Sequence, residues 1–296
     1  DADPTSQWIG PGAGSWLSVR LSAPATGRVL VAWDGSGYHL LNTQAAPRTY
    51  AIEASTGSSD GRTGNWAQVF RGVDNPLRSR QDAFDAPGAT WLRLRVESSW
   101  TGGPALRNLA VYELPPGPAD AWLILGDSIT AMAFDPSRPS LCATTVAARA
   151  PGHLPLVQAG GTGGDTAALG QQKLALALPL LPPGAAVGLA FGTNDATQGV
   201  PIATFKATMQ AMIDQITASG RRPVLARTPY DLNGTLPQFV KAIDDLTAAN
   251  RLPPGPDLYG WFKDHKGEIG PDTVHPTVAG QVSIQRLWGE AIARTY

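Results

Sequence analysis

Four short strings in the second half of the chain carry the residue types that acyl transfer needs. They are Gly126-Asp127-Ser128-Ile129-Thr130, Gly160-Gly161-Thr162-Gly163-Gly164-Asp165-Thr166, Gly192-Thr193-Asn194-Asp195 and Asp272-Thr273-Val274-His275-Pro276. Ser128 stands three residues after Leu125, the end of an apolar run, at a predicted strand-to-helix turn. Amides at a helix start favour negative charge developing beside such a residue. A serine hydroxyl is a weak nucleophile at neutral pH and needs a base within hydrogen-bond reach. The chain has four histidines, His39, His153, His265 and His275. Of these, His275 alone has an acid three residues earlier in a loop and a proline directly after it. That spacing lets Asp272 hold one ring nitrogen while the other accepts the serine proton. Negative charge on the substrate oxygen needs donors already in place. The Ser128 backbone N–H, the Asn194 side-chain amide and a backbone N–H of the 160–164 glycine loop are the candidates.

Each string alone has a plainer role. Asp127 and Ser128 suit a helix cap, and Asp272 suits the cap of a helix starting near Pro276. The glycine loop suits phosphate, but it is neither G-x-G-x-x-G nor a P-loop with lysine. The four together, in this order, supply one complete reaction. A literal G-x-S-x-G match, Gly57-Ser58-Ser59-Asp60-Gly61, lies in a polar loop with no buried strand before it and no helix after it, so Ser59 reads as loop.

The elements that must position these residues fall into two grammars. Over residues 1–114 short strands are cut by Gly, Ser, Pro and Asn, and Trp16-Leu17-Ser18-Val19-Arg20-Leu21 and Trp91-Leu92-Arg93-Leu94-Arg95-Val96 alternate with period two. That pattern predicts an antiparallel β-sandwich without helices. Residues 115–120, with Pro115-Pro116-Gly117-Pro118, read as a stiff linker. Over residues 121–296 apolar runs such as Ala121-Trp122-Leu123-Ile124-Leu125 alternate with helical segments, for example the face Phe205, Met209, Met212, Ile213 and Ile216 ended by Gly220. Alternation of this kind predicts a parallel sheet whose site forms at the carboxyl ends of its strands.

Composition narrows the class. The 296 residues suffice for two domains, and a net charge of −1 favours neither nucleic acid nor an anionic membrane. No apolar stretch approaches the ~20 residues of a membrane span. The one cysteine, Cys142, excludes an internal disulfide and reads as an inert buried thiol on a helix packed against the sheet. A start at Asp1 fits a processed, exported protein, so a secreted or periplasmic location is the expectation.

Residues 121–296 resemble the SGNH/GDSL hydrolases through all four strings. The resemblance implies a flavodoxin-like α/β/α fold, with Ser128 as nucleophile and first oxyanion donor, Asn194 as side-chain donor and Asp272 with His275 as the acid–base pair. It also implies catalysis without metal or organic cofactor. Aligning on Gly-Asp-Thr makes Gly164 the glycine donor, while counting from the strand end gives Gly163. The family often has Asn near the start of this loop, where this chain has Gln158 and Ala159.

The first half resembles discoidin-type galactose-binding-like jelly rolls, through Tyr50-Ala51-Ile52-Glu53-Ala54-Ser55, Trp66-Ala67-Gln68-Val69-Phe70, Trp91-Leu92-Arg93-Leu94 and Leu109-Ala110-Val111-Tyr112. Such domains often bind sugar and hold a structural calcium, though no spacing here places either ligand. Trp8, Trp16, Trp33, Trp66, Trp91 and Trp100 could stack on sugar rings, but core packing explains most of them; Trp100, in a stretch that reads as an exposed loop, is the best candidate for a sugar platform. A jelly roll ahead of such a hydrolase resembles the layout of bacterial carbohydrate esterases. The segment Gly255-Pro256-Asp257-Leu258-Tyr259-Gly260-Trp261-Phe262 adds to that likeness, its aromatics expected to wall the pocket. The implied activity is removal of O-acetyl groups from carbohydrate such as acetyl-xylan. The rivals are a broad short-chain esterase, lipase or thioesterase with a structural first domain, and a non-catalytic glycan-binding protein, which would need a broken constellation. The oligomeric state is left open by the sequence.

Overall fold

The computed structural model describes residues 7–35, 45–100, 102–114, 120–135, 141–153 and 155–296. The chain divides into two compact units, Asp1–Pro118 and Ala119–Tyr296. His39 and the proline run of the linker lie outside the described residues.

Among the described residues the first unit has eight strands: β1 (Trp8–Ile9), β2 (Trp16–Arg20), β3 (Arg28–Gly35), β4 (Pro47–Ser55), β5 (Ala67–Gly72), β6 (Ser79–Asp85), β7 (Trp91–Ser99) and β8 (Ala105–Glu113). They pair antiparallel into two sheets, ordered β1-β8-β3-β6 and β2-β7-β4-β5. No helix occurs among its described residues. Period two does the sorting. Leu92, Leu94 and Val96 of β7 are buried, while Trp91, Arg93 and Arg95 face outward and are only half-buried. Both sheets contribute to one core, with Val29, Val31 and Trp33 of β3 in the same cluster as Tyr50 and Ile52 of β4. Trp33 meets Tyr50 edge-on at 5.2 Å. The core also takes in a buried Arg80–Asp82 ion pair at 2.6 Å, and the Tyr50 hydroxyl donates to Asp82 at 2.6 Å. Trp100 departs from expectation. It is half-buried, its indole N–H donates to the Asn75 carbonyl at 2.7 Å, and Arg48 lies over its ring at 4.5 Å. That face is already covered by a cation.

The described residues of the second unit hold five parallel strands, β9 (Asp120–Gly126), β10 (Pro155–Gly161), β11 (Ala186–Ala190), β12 (Arg222–Arg227) and β13 (Pro254–Asp257), in the order β10-β9-β11-β12-β13. This is the 2-1-3-4-5 order of flavodoxin-like sheets, with its switch point between β9 and β11. The helices are α1 (Ser128–Ala133), α2 (Leu141–Arg149), α3 (Ala167–Ala177), α4 (Thr193–Thr197), α5 (Ile202–Ala218), α6 (Pro237–Ala249), α7 (Leu258–Asp264) and α8 (Val278–Ala293). β9 is buried on both faces. Trp122 and Ile124 pack in one cluster with Cys142, Val146, Ile284 and Trp288, and Leu123 and Leu125 fill the opposite side. The five apolar residues expected on one face of α5 are all buried. That helix ends in a Schellman motif: Gly220 has φ +73°, its N–H donates to Thr217, and the Arg221 N–H donates to Ile216. Cys142 is free and buried, and burial pushes its thiol up to about 12. No helix among the described residues is long and apolar enough to cross a membrane.

Candidate active site

Three of the four strings sit where the parallel sheet opens. β9 ends at Gly126, β10 at Gly161 and β11 at Ala190, and Ser128, the glycine loop and Asn194 follow directly. The turn after β9 is tight. Asp127 caps α1, its carboxylate accepting the Ile129 N–H at 2.9 Å, and leaves Ser128 as the first helical residue. Close approach of β10 to α1 requires glycine, because a Cβ on Gly161 would stand 2.3 Å from the Ala131 backbone nitrogen. Any larger residue there would push away the helix that carries Ser128.

The fourth string closes over the first. Ile269 and Pro276 form an antiparallel bridge, and the Gly270 N–H donates to the His275 carbonyl at 2.7 Å, so residues 269–276 make a closed loop. Asp272 folds back along it. Its Oδ1 accepts the backbone N–H groups of Val274 at 3.1 Å and His275 at 2.9 Å, and its Oδ2 lies 2.6 Å from His275 Nδ1. These bonds, the backbone one from His275 first, hold the Asp272 carboxyl down at about 2. The carboxylate therefore keeps its charge throughout the neutral range. With Nδ1–H engaged by Asp272, Nε2 is the acceptor for the Ser128 hydroxyl, 2.8 Å away. Thr273, inside this loop, has φ +68°, a left-handed backbone that is costly for a β-branched residue. It is held there by the loop after β12: the Leu232 N–H donates to the Thr273 carbonyl at 3.2 Å and the Asn233 amide to its hydroxyl at 3.2 Å.

Of the two candidate loop glycines, Gly163 approaches the serine. A Cβ on Gly163 would lie 4.0 Å from Ser128 Cβ, so this residue abuts the nucleophile. Gly164 has φ +83°, which the turn demands and which a side chain would strain. Half-buried Asn194 donates one amide hydrogen to the Asp165 carbonyl at 2.9 Å. An amide carries two such hydrogens, which leaves the second for a ligand. Asp195 accepts the Ala167 N–H at 3.1 Å through both oxygens, tying the turn after β11 to the start of α3.

The remaining candidates are elsewhere. His153 pairs with Asp120 at 2.9 Å and stacks on Tyr296, and His265 stacks on Trp261. Ser59 is an exposed loop residue. The aromatic segment before the acid–base loop divides: Phe262 is buried in the core, and Trp261 lies beneath Arg286 at 4.3 Å with its N–H on Glu268. Neither can wall a pocket. Only Tyr259, half-buried against Tyr230 at 5.4 Å, keeps that option. Among the described residues no group of three or more His, Cys, Asp or Glu side chains could hold a metal ion.

One group beneath the site carries a testable pH signature. Burial pushes the Asp127 carboxyl up to about 7, with Asp165 adding repulsion and the Ile129 and Thr130 N–H bonds and His275 opposing. A carboxyl raised on folding gives stability that is full below its ordinary value near ~3.9 and lost as pH rises through the folded value. The melting temperature of the wild type should therefore decline between pH 4 and 7. Asp127→Asn keeps a competent cap and removes the buried charge. It should flatten that slope and gain about 1–3 kcal/mol at pH 8. Parallel melting curves for both proteins from pH 4 to 8 would refute this assignment.

The sequence patterns miss a second layer. Lys173, Thr162 and Asp165 form a buried cluster under the glycine loop. Its one sequence trace is a lysine interrupting the apolar stripe Ala167, Gly170, Leu174 and Ala177 of α3.

The model of the GDSL-like lipase/acylhydrolase family matches residues 124–282, over half of the chain. No curated protein sequence matches. Among solved structures, the acetylxylan esterase Axe2 of Geobacillus stearothermophilus aligns at 17% identity and a TM-score of 0.51, over 60% of this chain and 95% of its own. Protein YXIM of Bacillus subtilis aligns at 19% identity and a TM-score of 0.53, over 95% of this chain and 80% of its own. The esterase EstA of a Pseudoalteromonas species, inhibited by monoethylphosphonate, aligns at 16% identity and a TM-score of 0.50, over 60% of this chain and 98% of its own. At these identities the likeness is one of fold.

Proposed function

Because the chain belongs to the GDSL-like lipase/acylhydrolase family and is a carboxylic ester hydrolase, we propose that it works through an acyl-enzyme on Ser128 and that its natural substrates are O-acetylated carbohydrates. The observation that carries the first half is the chain of contacts from Ser128 through His275 to Asp272, at 2.8 and 2.6 Å. His275 takes the serine proton as the hydroxyl attacks the ester carbonyl. Asp272 stabilises the imidazolium that results, and the same proton then passes to the leaving alcohol. The developing oxyanion lies among the Ser128 N–H, the Gly164 N–H (or that of Gly163) and the free Asn194 amide hydrogen. Water, deprotonated by His275, then releases the acid and frees Ser128. This scheme uses side chains and backbone amides alone.

The carbohydrate half is supported by two features. A fold neighbour, Axe2, is described as an acetylxylan esterase. An appended all-β unit, which we read as a β-sandwich of the jelly-roll kind over residues 1–114, joins a catalytic unit over residues 121–296. Such an arrangement suits a secreted or periplasmic enzyme meeting a polysaccharide. The test is a comparison of acetyl release from acetylated xylan with hydrolysis of aryl esters of C2 to C10 acids. Preference for acetyl esters, with measurable turnover of the polymer, is expected. Faster turnover of long acyl chains with no acetate released from xylan would assign the enzyme to broad esterase or lipase chemistry.

A further inference from the structure

Among the described residues, Lys173 is the cation buried under the glycine loop, and nothing in the acyl-transfer scheme uses it. It projects from α3 with 1% of its side chain exposed. Its neighbours along that face, Gly170, Leu174 and Ala177, are apolar and buried. An ammonium has three hydrogens to donate. Here it donates to the Gly160 carbonyl at 3.2 Å and to the Thr162 hydroxyl, and it forms an ion pair with the Asp165 carboxylate at 2.7 Å, all within one short loop. The acceptors lie at the start, the middle and the end of the glycine loop, so the loop is wrapped around a single charge.

That loop forms one side of the oxyanion hole. Between the second and third acceptors lie Gly163, which abuts Ser128, and Gly164, whose φ is +83°. Two consecutive exposed glycines have little rigidity of their own. At its far end the loop passes the constraint on, because the Asp165 carbonyl takes the Asn194 amide at 2.9 Å. One ammonium thus fixes the loop amides directly and the side-chain donor through one intermediate residue. A buried ion pair is seldom more stabilising than an apolar replacement of the same volume. What this pair does supply is a single geometry for a glycine-rich segment. Burial lowers the Lys173 ammonium to about 8 while Asp165 raises it, which keeps it charged at neutral pH.

Building on the esterase reading of the same site, we propose that Lys173 is a positioning residue for the oxyanion hole, holding the Gly163 and Gly164 amides and the Asn194 side chain around the reacting carbonyl. It touches no substrate itself. Donors displaced from a preformed hole weaken the transition state far more than the ground state, and losing one donor costs about 10²–10³ in kcat.

The test is Lys173→Met, assayed with an aryl acetate below its melting temperature beside Ser128→Ala. K173M is expected to lower kcat about 30- to 300-fold with KM within about threefold of wild type. Affinity for an alkyl boronate, whose tetrahedral adduct places an oxygen in the hole, should fall by the same factor. A merely structural lysine would move the melting temperature and leave the boronate affinity of the folded protein unchanged. Folded K173M with kcat within threefold of wild type overturns the proposal. Where K173M does not fold, Lys173→Gln is read by the same criteria, and failure of both to fold assigns Lys173 to the fold and equally overturns it. Turnover surviving in S128A would instead overturn the esterase reading on which the proposal rests.

Discussion

Ser128→Ala should abolish all but a trace of ester hydrolysis, lowering kcat by about 10⁶. The change removes the one oxygen that lies 2.8 Å from His275 Nε2. It should leave the fold intact. The α1 cap belongs to Asp127, and alanine is a good residue at the first helical position. His275→Ala should cost about as much, and the double variant hardly more than either single one, because nucleophile and base act as a unit. Residual rate of about 10³–10⁴ over water is expected from the oxyanion donors and binding alone. Initial rates on an aryl acetate, with melting temperatures as a control for folding, check this. A folded S128A protein within tenfold of wild type would remove Ser128 from the mechanism.

Asp272→Asn is the second large effect, and the hydrogen bonds decide its size. Asp272 Oδ1 accepts two backbone N–H groups, from Val274 and His275, so an asparagine there keeps its carbonyl oxygen on that side. Its NH₂ must then face His275 Nδ1, where Oδ2 now stands at 2.6 Å. Two donors cannot share that line, so the ring switches tautomer and Nε2 becomes a donor toward Ser128. Where the corresponding carboxylate of a serine protease is buried, such a switch costs about 10⁴ in kcat. Here 53% of the Asp272 side chain is exposed, so water can soften the mismatch, and a loss of about 10²–10³ is expected. Because its carboxyl is held at about 2, Asp272 contributes stability above the ordinary ~3.9 that disappears only as pH falls through the folded value. The Asp272 carboxylate therefore stays charged across the neutral and mildly acid range, and its own titration contributes nothing to the loss measured there. A D272N enzyme with wild-type kcat would show that the imidazole is oriented by something else.

What was legible in the sequence follows from physics that acts locally. Ala121 to Leu125 reads as a strand buried on both faces because every residue is apolar, and the face of α5 reads as a helix because its apolar residues recur at helical spacing. The reach of Asp272 to His275 is a property of three residues in a loop. Elements whose pattern is set by distant partners are hidden. β6 carries Arg80 and Asp82 into a core, where they neutralise one another, so its inward face does not read as apolar. β13 is a sheet-edge strand, Pro254-Gly255-Pro256-Asp257, with no apolar run at all. Lys173 is hidden for the same reason as Arg80: its partners Thr162 and Asp165 are supplied by the fold. Trp100, Trp261 and Phe262 show the converse error, since an aromatic in a polar stretch looks free until the cations and helices that cover it are seen.

The most direct measurement is mass spectrometry of the protein after reaction with an alkyl phosphonate ester, which traps the attacking oxygen as a stable adduct. A single adduct on the peptide containing Ser128, formed in step with loss of activity and absent from S128A, is the outcome this account requires. Inactivation accompanied by an adduct on a different side chain, or equal labelling of S128A, would contradict it.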